Sequence, residues 1–236
     1  PHFLPELAGN LKNEIVTRLQ DERLGFGEID LYYTPRRLAV RVRELDESQG
    51  DRAEKHRGPP KNVGLDDEGN YTIAAEKFAQ GHGLTRDELY VEETEEGTYF
   101  FVDKRIEGKR AGELLPDLVK AAVNDLDQPE KMSWDDSSIR FIRPIRWITC
   151  LLGSEKLDLV LGNVNSSDAT RGHRFHGEEK ITLTDPSEYE SALEDNYVIP
   201  DPEKRKEEME VQFSAITDKL GASMASNQDF LELLSN

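Results

Sequence analysis

Nine arginines carry the chemistry that can be read most directly from this chain. Arg36, Arg37, Arg41 and Arg43, then Arg140, Arg143 and Arg146, then Arg171 and Arg174 lie in three stretches, 31–43, 137–154 and 169–177, that contain neither an acidic residue nor a lysine. A guanidinium is a planar fork that binds phosphate or carboxylate at two points and stacks on flat rings. Aromatic residues are interleaved: Tyr32 and Tyr33 in the first stretch, Phe141 and Trp147 in the second, Phe175 in the third. A base stacked on such a ring is worth about 1–3 kcal/mol in single-stranded complexes. The pattern therefore points to a grip on the phosphates and bases of a nucleic acid. A structural alternative stands beside it. Arg41 and Arg43 alternate with Val40 and Val42, as on the solvent face of a hairpin. Arg140, Arg143 and Arg146 could pair with carboxylates elsewhere, and Phe141, Ile145 and Trp147 suit a core.

The loop TRGHRFHG, 170–177, adds His173 and His176 to the candidate contacts. Their separation of three is that of some metal pairs, but two histidines are too few for a metal site, so no metal is expected. The same loop could instead be a Gly-hinged turn, or a contact surface for a partner. No phosphate-binding GxxxxGK[ST], no GxSxG, no HExxH and no GxGxxG is present. Cys150 sits in the apolar run ITCLL and reads as buried and inert. Asp135 and Asp136 read as a turn rather than an acid–base pair. No catalytic residue is expected in this chain.

The total charge argues the other way at first. The chain has 236 residues, with 48 Asp+Glu against 30 Lys+Arg and a net charge of −18. Phosphate contact is made by Lys and Arg, so such a total would ordinarily exclude a nucleic-acid binder. The acid, however, lies outside the three arginine stretches: residues 178–236 alone hold 15 acids against 5 bases. A single cysteine excludes a disulfide scaffold and fits a reducing, cytoplasmic setting. No run of 18 apolar residues exists, so no membrane association is expected. A chain beginning at Pro1 and ending in FLELLSN, which reads as a helix cut short, is expected to be a piece of a longer protein.

The elements that must position these residues follow from periodicity. Leu4, Leu7, Leu11, Ile15 and Leu19 mark an amphipathic helix over 3–24, closed by Gly25. Residues 28–33 and 37–44 alternate as a hairpin turned at Pro35. Residues 46–70 are polar and rich in Gly, Pro and Asp, RGPPKNVG within them reads as a loop, and TIAAEKFAQGHG reads as a short helix. A second hairpin joins 89–94 to 99–107, and Leu114, Leu115, Leu118, Ala122 and Leu126 place a helix over 111–126. KLDLVLGNV reads as one strand, SSDATRGHRFHGEE as a polar loop and KITLT as a short strand. Helices are expected over 186–195 and 201–220. Hairpins separated by helices predict an α+β fold with antiparallel sheets and packed helices. A domain boundary is expected near NYVIPDP, with an α+β domain over 1–197 and the start of an all-helical domain over 198–236.

YYTPRRLAVRV, HRGPP, AAEKFAQGHG, KMSW, IRFIRPIRWITCLLG and TRGHRFHG occur in this order from about Leu4 to about Arg205. In that combination the chain resembles the N-terminal third of the β subunit of bacterial glycyl-tRNA synthetase. The resemblance implies a share in an α2β2 glycine–tRNA ligase whose α subunit is the catalytic core. That subunit would use ATP, Mg and glycine, with no cofactor held by this chain. It implies two partners, the α subunit and tRNA(Gly). It also implies an editing-domain-like first domain followed by a helical, phosphohydrolase-like one. His173 and His176 lie upstream of that second domain and are not its His-Asp pair. No assigned catalytic residue of the family falls on this stretch. The candidate tRNA contacts remain Arg36, Arg37, Arg140, Arg143, Arg146, Arg171, His173, Arg174 and His176. The alternatives are a scaffold for the α subunit without RNA contact, and hydrolysis of mischarged tRNA. An RNA grip requires the three arginine stretches to meet on one face.

Overall fold

The computed structural model describes residues 3–66, 68–137, 139–221 and Leu234. The expected helix in FLELLSN lies outside these residues apart from Leu234. In chain order the elements are α1 (Leu4–Asp21), β1 (Ile29–Thr34), β2 (Arg37–Val42), β3 (Arg52–Pro60), α2 (Lys61–Gly64), α3 (Ile73–Gly81), β4 (Tyr90–Thr94), β5 (Gly97–Ile106) and α4 (Ala111–Asp125). Seven short strands follow: β6 (Ile148–Thr149), β7 (Leu151–Leu152), β8 (Glu155–Lys156), β9 (Val160–Leu161), β10 (Val164–Ser167), β11 (Ala169–Thr170) and β12 (Ile181–Thr182). The chain closes with α5 (Tyr189–Glu194) and α6 (Pro202–Leu220). The class is α+β, with antiparallel pairing throughout the strands except for one parallel pair, β6 with β10.

Two compact units are present. One comprises 1–47 and 110–236, and the other, 48–109, is inserted between its halves. No such insertion is marked in the linear pattern. In the first unit the helical stripes do what their spacing requires. Leu4, Leu7, Leu11 and Leu19 of α1 are buried, as are Leu115, Leu118 and Ala122 of α4. Leu19, Leu24, Ala111, Leu115, Leu118 and Leu157 form one cluster, and Leu7, Leu11 and Leu126 form a second against Leu38, Val40, Phe141 and Ile142. β1 and β2 pair from Ile29 opposite Val42 to Thr34 opposite Arg37, turning at Pro35 and Arg36. α6 begins on Asp201, whose carboxylate accepts from the amides of Glu203 and Lys204 at 2.8 and 3.2 Å, a capping arrangement that occupies otherwise unbonded donors.

The inserted unit is a sheet in the order β3-β5-β4 with α3 against one face. Phe100 and Val102 of β5 pack with Ala75 and Ala79 of α3 and with Leu89. Here the expectation of a loop at RGPPKNVG, 57–64, is corrected: it spans the end of a nine-residue strand, Arg52–Pro60, paired with β5, and a helical turn, Lys61–Gly64. Arg52 to Lys55 are all exposed, so no apolar alternation advertises the strand. Its stability comes from the backbone ladder and from cross-strand pairs such as Arg57 on Tyr99, at 3.8 Å. As an edge strand it also tolerates Pro59 and Pro60. A second correction concerns KLDLVLGNV. The expected single strand is broken, because Gly162 takes φ +60° and turns β9 back onto β10 with Leu161 opposite Val164. A two-residue Gly-Asn connection is a favoured hairpin turn. Among the described residues no helix is long and apolar enough to cross a membrane.

Candidate functional site

The three arginine stretches meet at Trp147. The Arg37 guanidinium carbon lies 5.8 Å from the centre of the indole ring, and that of Arg171 lies 5.3 Å from it. Each stretch thus supplies one residue to this contact, within the range of cation–π attraction. A cleft of about 1170 Å³ opens beside it in the first unit. Arg36, Arg37, Arg143, Arg146, Trp147 and Thr170 line part of it, above an apolar floor that includes Leu7, Leu11 and Phe141.

The nine arginines divide by partner. Arg41 Nε donates to Asp30 Oδ2 at 2.6 Å, and Arg43 forks onto the same carboxylate at 2.8 and 2.9 Å. These two are committed to the β1–β2 face, as the structural alternative holds. Arg171 reaches Glu179 at 3.8 Å, a loose contact. Among the described residues, Arg36, Arg37, Arg140, Arg143, Arg146 and Arg174 have no carboxylate at ion-pair distance. The abundant acid of the chain therefore does not neutralise them, and Arg36, Arg140, Arg143, Arg146 and Arg174 are exposed. Arg140 stands apart from the cleft lining and donates instead to the carbonyl of Lys131 at 3.3 Å. Burial lowers the Arg37 guanidinium from its ordinary value, and the Tyr189 hydroxyl beside it works against that shift. Its Nε and Nη1 are buried and have no hydrogen-bond partner among the described residues. Two donors of a charged fork are therefore left for an acceptor, at a cost of about 1–3 kcal/mol while unmet.

The 171–177 loop is closed by backbone bonds. Gly172 N donates to Glu178 O and Gly177 N to His173 O, both at 2.9 Å. Asn196, just past α5, staples the loop from the other side. Its carbonyl accepts from His173 N and its Oδ1 from Glu178 N, again at 2.9 Å. A Cβ on Gly177 would lie 2.5 Å from the Asn196 carbonyl oxygen and 2.6 Å from His173 N, so only glycine fits. His173 Nδ1 accepts from the amides of Phe175 and His176 at 3.3 Å, which orients the ring. The His173 and His176 rings stack with centroids 4.9 Å apart, and Tyr197 meets His176 edge-on at 5.9 Å. Tyr197, Asn196 and Tyr189 escaped the sequence reading, because only the tertiary fold brings 189–197 against 37 and 171–177.

Other expectations resolve as follows. Tyr32 and Tyr33 are buried, Phe141 and Ile145 pack into apolar clusters, and Phe175 is exposed. Asp135 caps its own turn by accepting from Ser137 N at 2.8 Å. Burial pushes the Cys150 thiol up to about 11, which keeps it protonated and poorly nucleophilic at neutral pH. No group of three or more His, Cys, Asp or Glu with metal-binding geometry occurs among the described residues.

A family model described as glycyl-tRNA synthetase beta subunit matches residues 1–236. A protein named glycine–tRNA ligase beta subunit from Bacillus subtilis is 36% identical over 230 residues, covering 98% of this chain and 34% of its own length. One of the same name from Myxococcus xanthus is 36% identical over 234 residues, covering 99% of this chain and 33% of its own. A third, from Clostridioides difficile, is 34% identical over 230 residues, 98% of this chain and 33% of its own. The chain thus spans about a third of the length of the curated relatives it matches.

Proposed function

The chain belongs to the glycyl-tRNA synthetase β-subunit family, and from that premise we propose that it is a tRNA-gripping and assembly part of a glycine–tRNA ligase. The meeting of Arg37, Trp147 and Arg171 supports this reading most strongly. It gathers one residue from each acid-free stretch beside a cleft lined by Arg36, Arg37, Arg143 and Arg146, none of which has a carboxylate at ion-pair distance among the described residues, and by Arg41, which Asp30 holds. Arg36, Arg37, Arg143, Arg146, Arg171 and Arg174 take tRNA(Gly) phosphates in this reading, with His173 and His176 alongside, while Arg140 contributes from outside the cleft. Adenylate chemistry with ATP, Mg and glycine belongs to the α subunit of an α2β2 assembly in the cytoplasm. The first domain, to about residue 197, is editing-like, and α6 opens a helical domain. Val211, Ile216 and Leu220 of α6 are exposed, as expected for a helix that further chain would cover.

The test is made on the full-length β subunit with its α subunit. Replacing Arg171 and Arg174 by Ala is expected to weaken tRNA(Gly) binding. It should also lower the slope of log affinity against log salt by roughly 1 for each phosphate no longer gripped. An unchanged salt slope would sink the reading.

A further inference from the structure

We propose that the 171–177 loop and Tyr197 form a stacking site for an unpaired nucleotide of RNA. The rings of Phe175, His176 and Tyr197 take the base, and Arg174 takes its phosphate. This rests on the tRNA-binding reading and narrows it to single-stranded RNA at this loop.

Exposure and position argue for it first. Phe175 is 80% exposed and Tyr197 69% exposed, although the 171–177 loop and the segment after α5 are tied together by hydrogen bonds to Asn196. Tyr197 is the third residue past α5 and takes φ +62°. Val198 N returns to Leu193 O at 2.9 Å and Tyr197 N to Glu194 O at 3.0 Å, closing the helix end. A helix end of that geometry favours Gly or Asn, because a Cβ is strained there. Local folding thus gives no reason for a tyrosine, and the core does not use its ring. What the ring does contact is His176, itself stacked on His173, with Phe175 6.2 Å from His173. Four flat side chains are gathered at one edge of the unit with two of their largest faces open.

The charge suits the same ligand. Arg174 lies 5.4 Å from the Phe175 ring centre and has no carboxylate at ion-pair distance among the described residues. A cation next to an open aromatic face matches a nucleotide, which offers an anionic phosphate beside a flat base. Duplex RNA keeps its bases stacked internally and exposes mainly phosphates and 2′-hydroxyls. Only an unpaired base can lay its face on the open rings of Phe175 and Tyr197, which flank the stacked pair His173 and His176. Because the loop is preorganised, little ordering cost accompanies binding.

The experiment uses the full-length β subunit with its α subunit. Fluorescence anisotropy compares an unstructured oligoribonucleotide with a blunt RNA duplex of equal length. Two variants remove rings without disturbing the backbone: Phe175→Ala and Tyr197→Asn, the second chosen because Asn tolerates positive φ. Each is expected to weaken single-strand binding by about fivefold or more. The salt slope should stay unchanged, and duplex binding should not move. Arg174→Ala should lower both affinity and slope. Single-strand binding that survives both ring variants overturns the proposal, as does wild-type preference for the duplex. If Phe175→Ala releases the α subunit in gel filtration while RNA binding persists, the rings serve a protein contact and the proposal again fails. The underlying reading fails separately, when the Arg171 and Arg174 variants leave tRNA binding and its salt slope unaltered.

Discussion

At the scale of single residues, an arginine's role is set by the nearest carboxylate. Asp30 shows this. Burial alone would raise its carboxyl, but the forks of Arg43 and Arg41 outweigh burial and hold it below the usual carboxylate range. A carboxyl depressed in the folded state contributes stability that is present above its unfolded value, near 4, and lost as pH falls through the folded value. Asp30→Asn is therefore expected to destabilise the protein by about 1–2 kcal/mol at neutral pH, with the difference from wild type vanishing in acid. Urea titrations of the two proteins at pH 7 and at pH 3 check this, and an equal difference at both would contradict it. Arg36, Arg143, Arg146 and Arg174 have no such carboxylate, which leaves them available to an outside anion. Sequence spacing made Arg41 and Arg43 legible as a hairpin face, since alternation with valine determines side. It could not say which of the other seven would find a carboxylate, because those partners would come from distant parts of the chain.

At the scale of elements, legibility followed burial. α1 and α4 were plain in the sequence because each buries one stripe, Leu4–Leu7–Leu11–Leu19 in the first and Leu115–Leu118–Ala122 in the second. β3 was invisible because its first four residues are exposed and the rest at most half-buried, with His56 and two prolines in place of an apolar alternation, and its order comes from the ladder to β5. The GN pair at 162–163 was a turn signal inside an apolar run, and the apolar run masked it. The 171–177 loop depends on close backbone approach rather than on apolar contact. Gly177→Ala should therefore cost about 1–3 kcal/mol through overpacking. It should also open the amides of His173 and Glu178, which bond to Asn196, to hydrogen exchange. Exchange that stays as slow as in wild type at both amides would show that the staple tolerates a methyl.

At the scale of the whole chain, the net charge of −18 describes the surface poorly, because arginine is concentrated and acid is spread. Each unit also closes on itself where the insertion begins and ends. In the first, Ala111 N bonds Glu47 O at 2.8 Å, and in the second, Gln49 N bonds Lys109 O at 2.9 Å. Replacing 48–109 with a short Gly-Ser linker is therefore expected to leave the cluster of Leu19, Leu115 and Leu157 intact. Circular dichroism should show one cooperative melt with helix from α1 and α4 retained, and a molten spectrum would show that the first unit needs the insert. By itself, the sequence determined the helices other than α2, the two hairpins, the α+β class, the family and the segregation of arginine from acid. Each of these is written in local periodicity, composition or ordered motifs. Only the tertiary structure decided that Arg37, Trp147 and Arg171 converge, that Tyr197 joins the histidine loop, and that 48–109 stands as its own unit. The reason is physical: contacts between residues far apart in the chain depend on how buried faces pack. A linear pattern encodes which face is apolar but not which distant face will cover it.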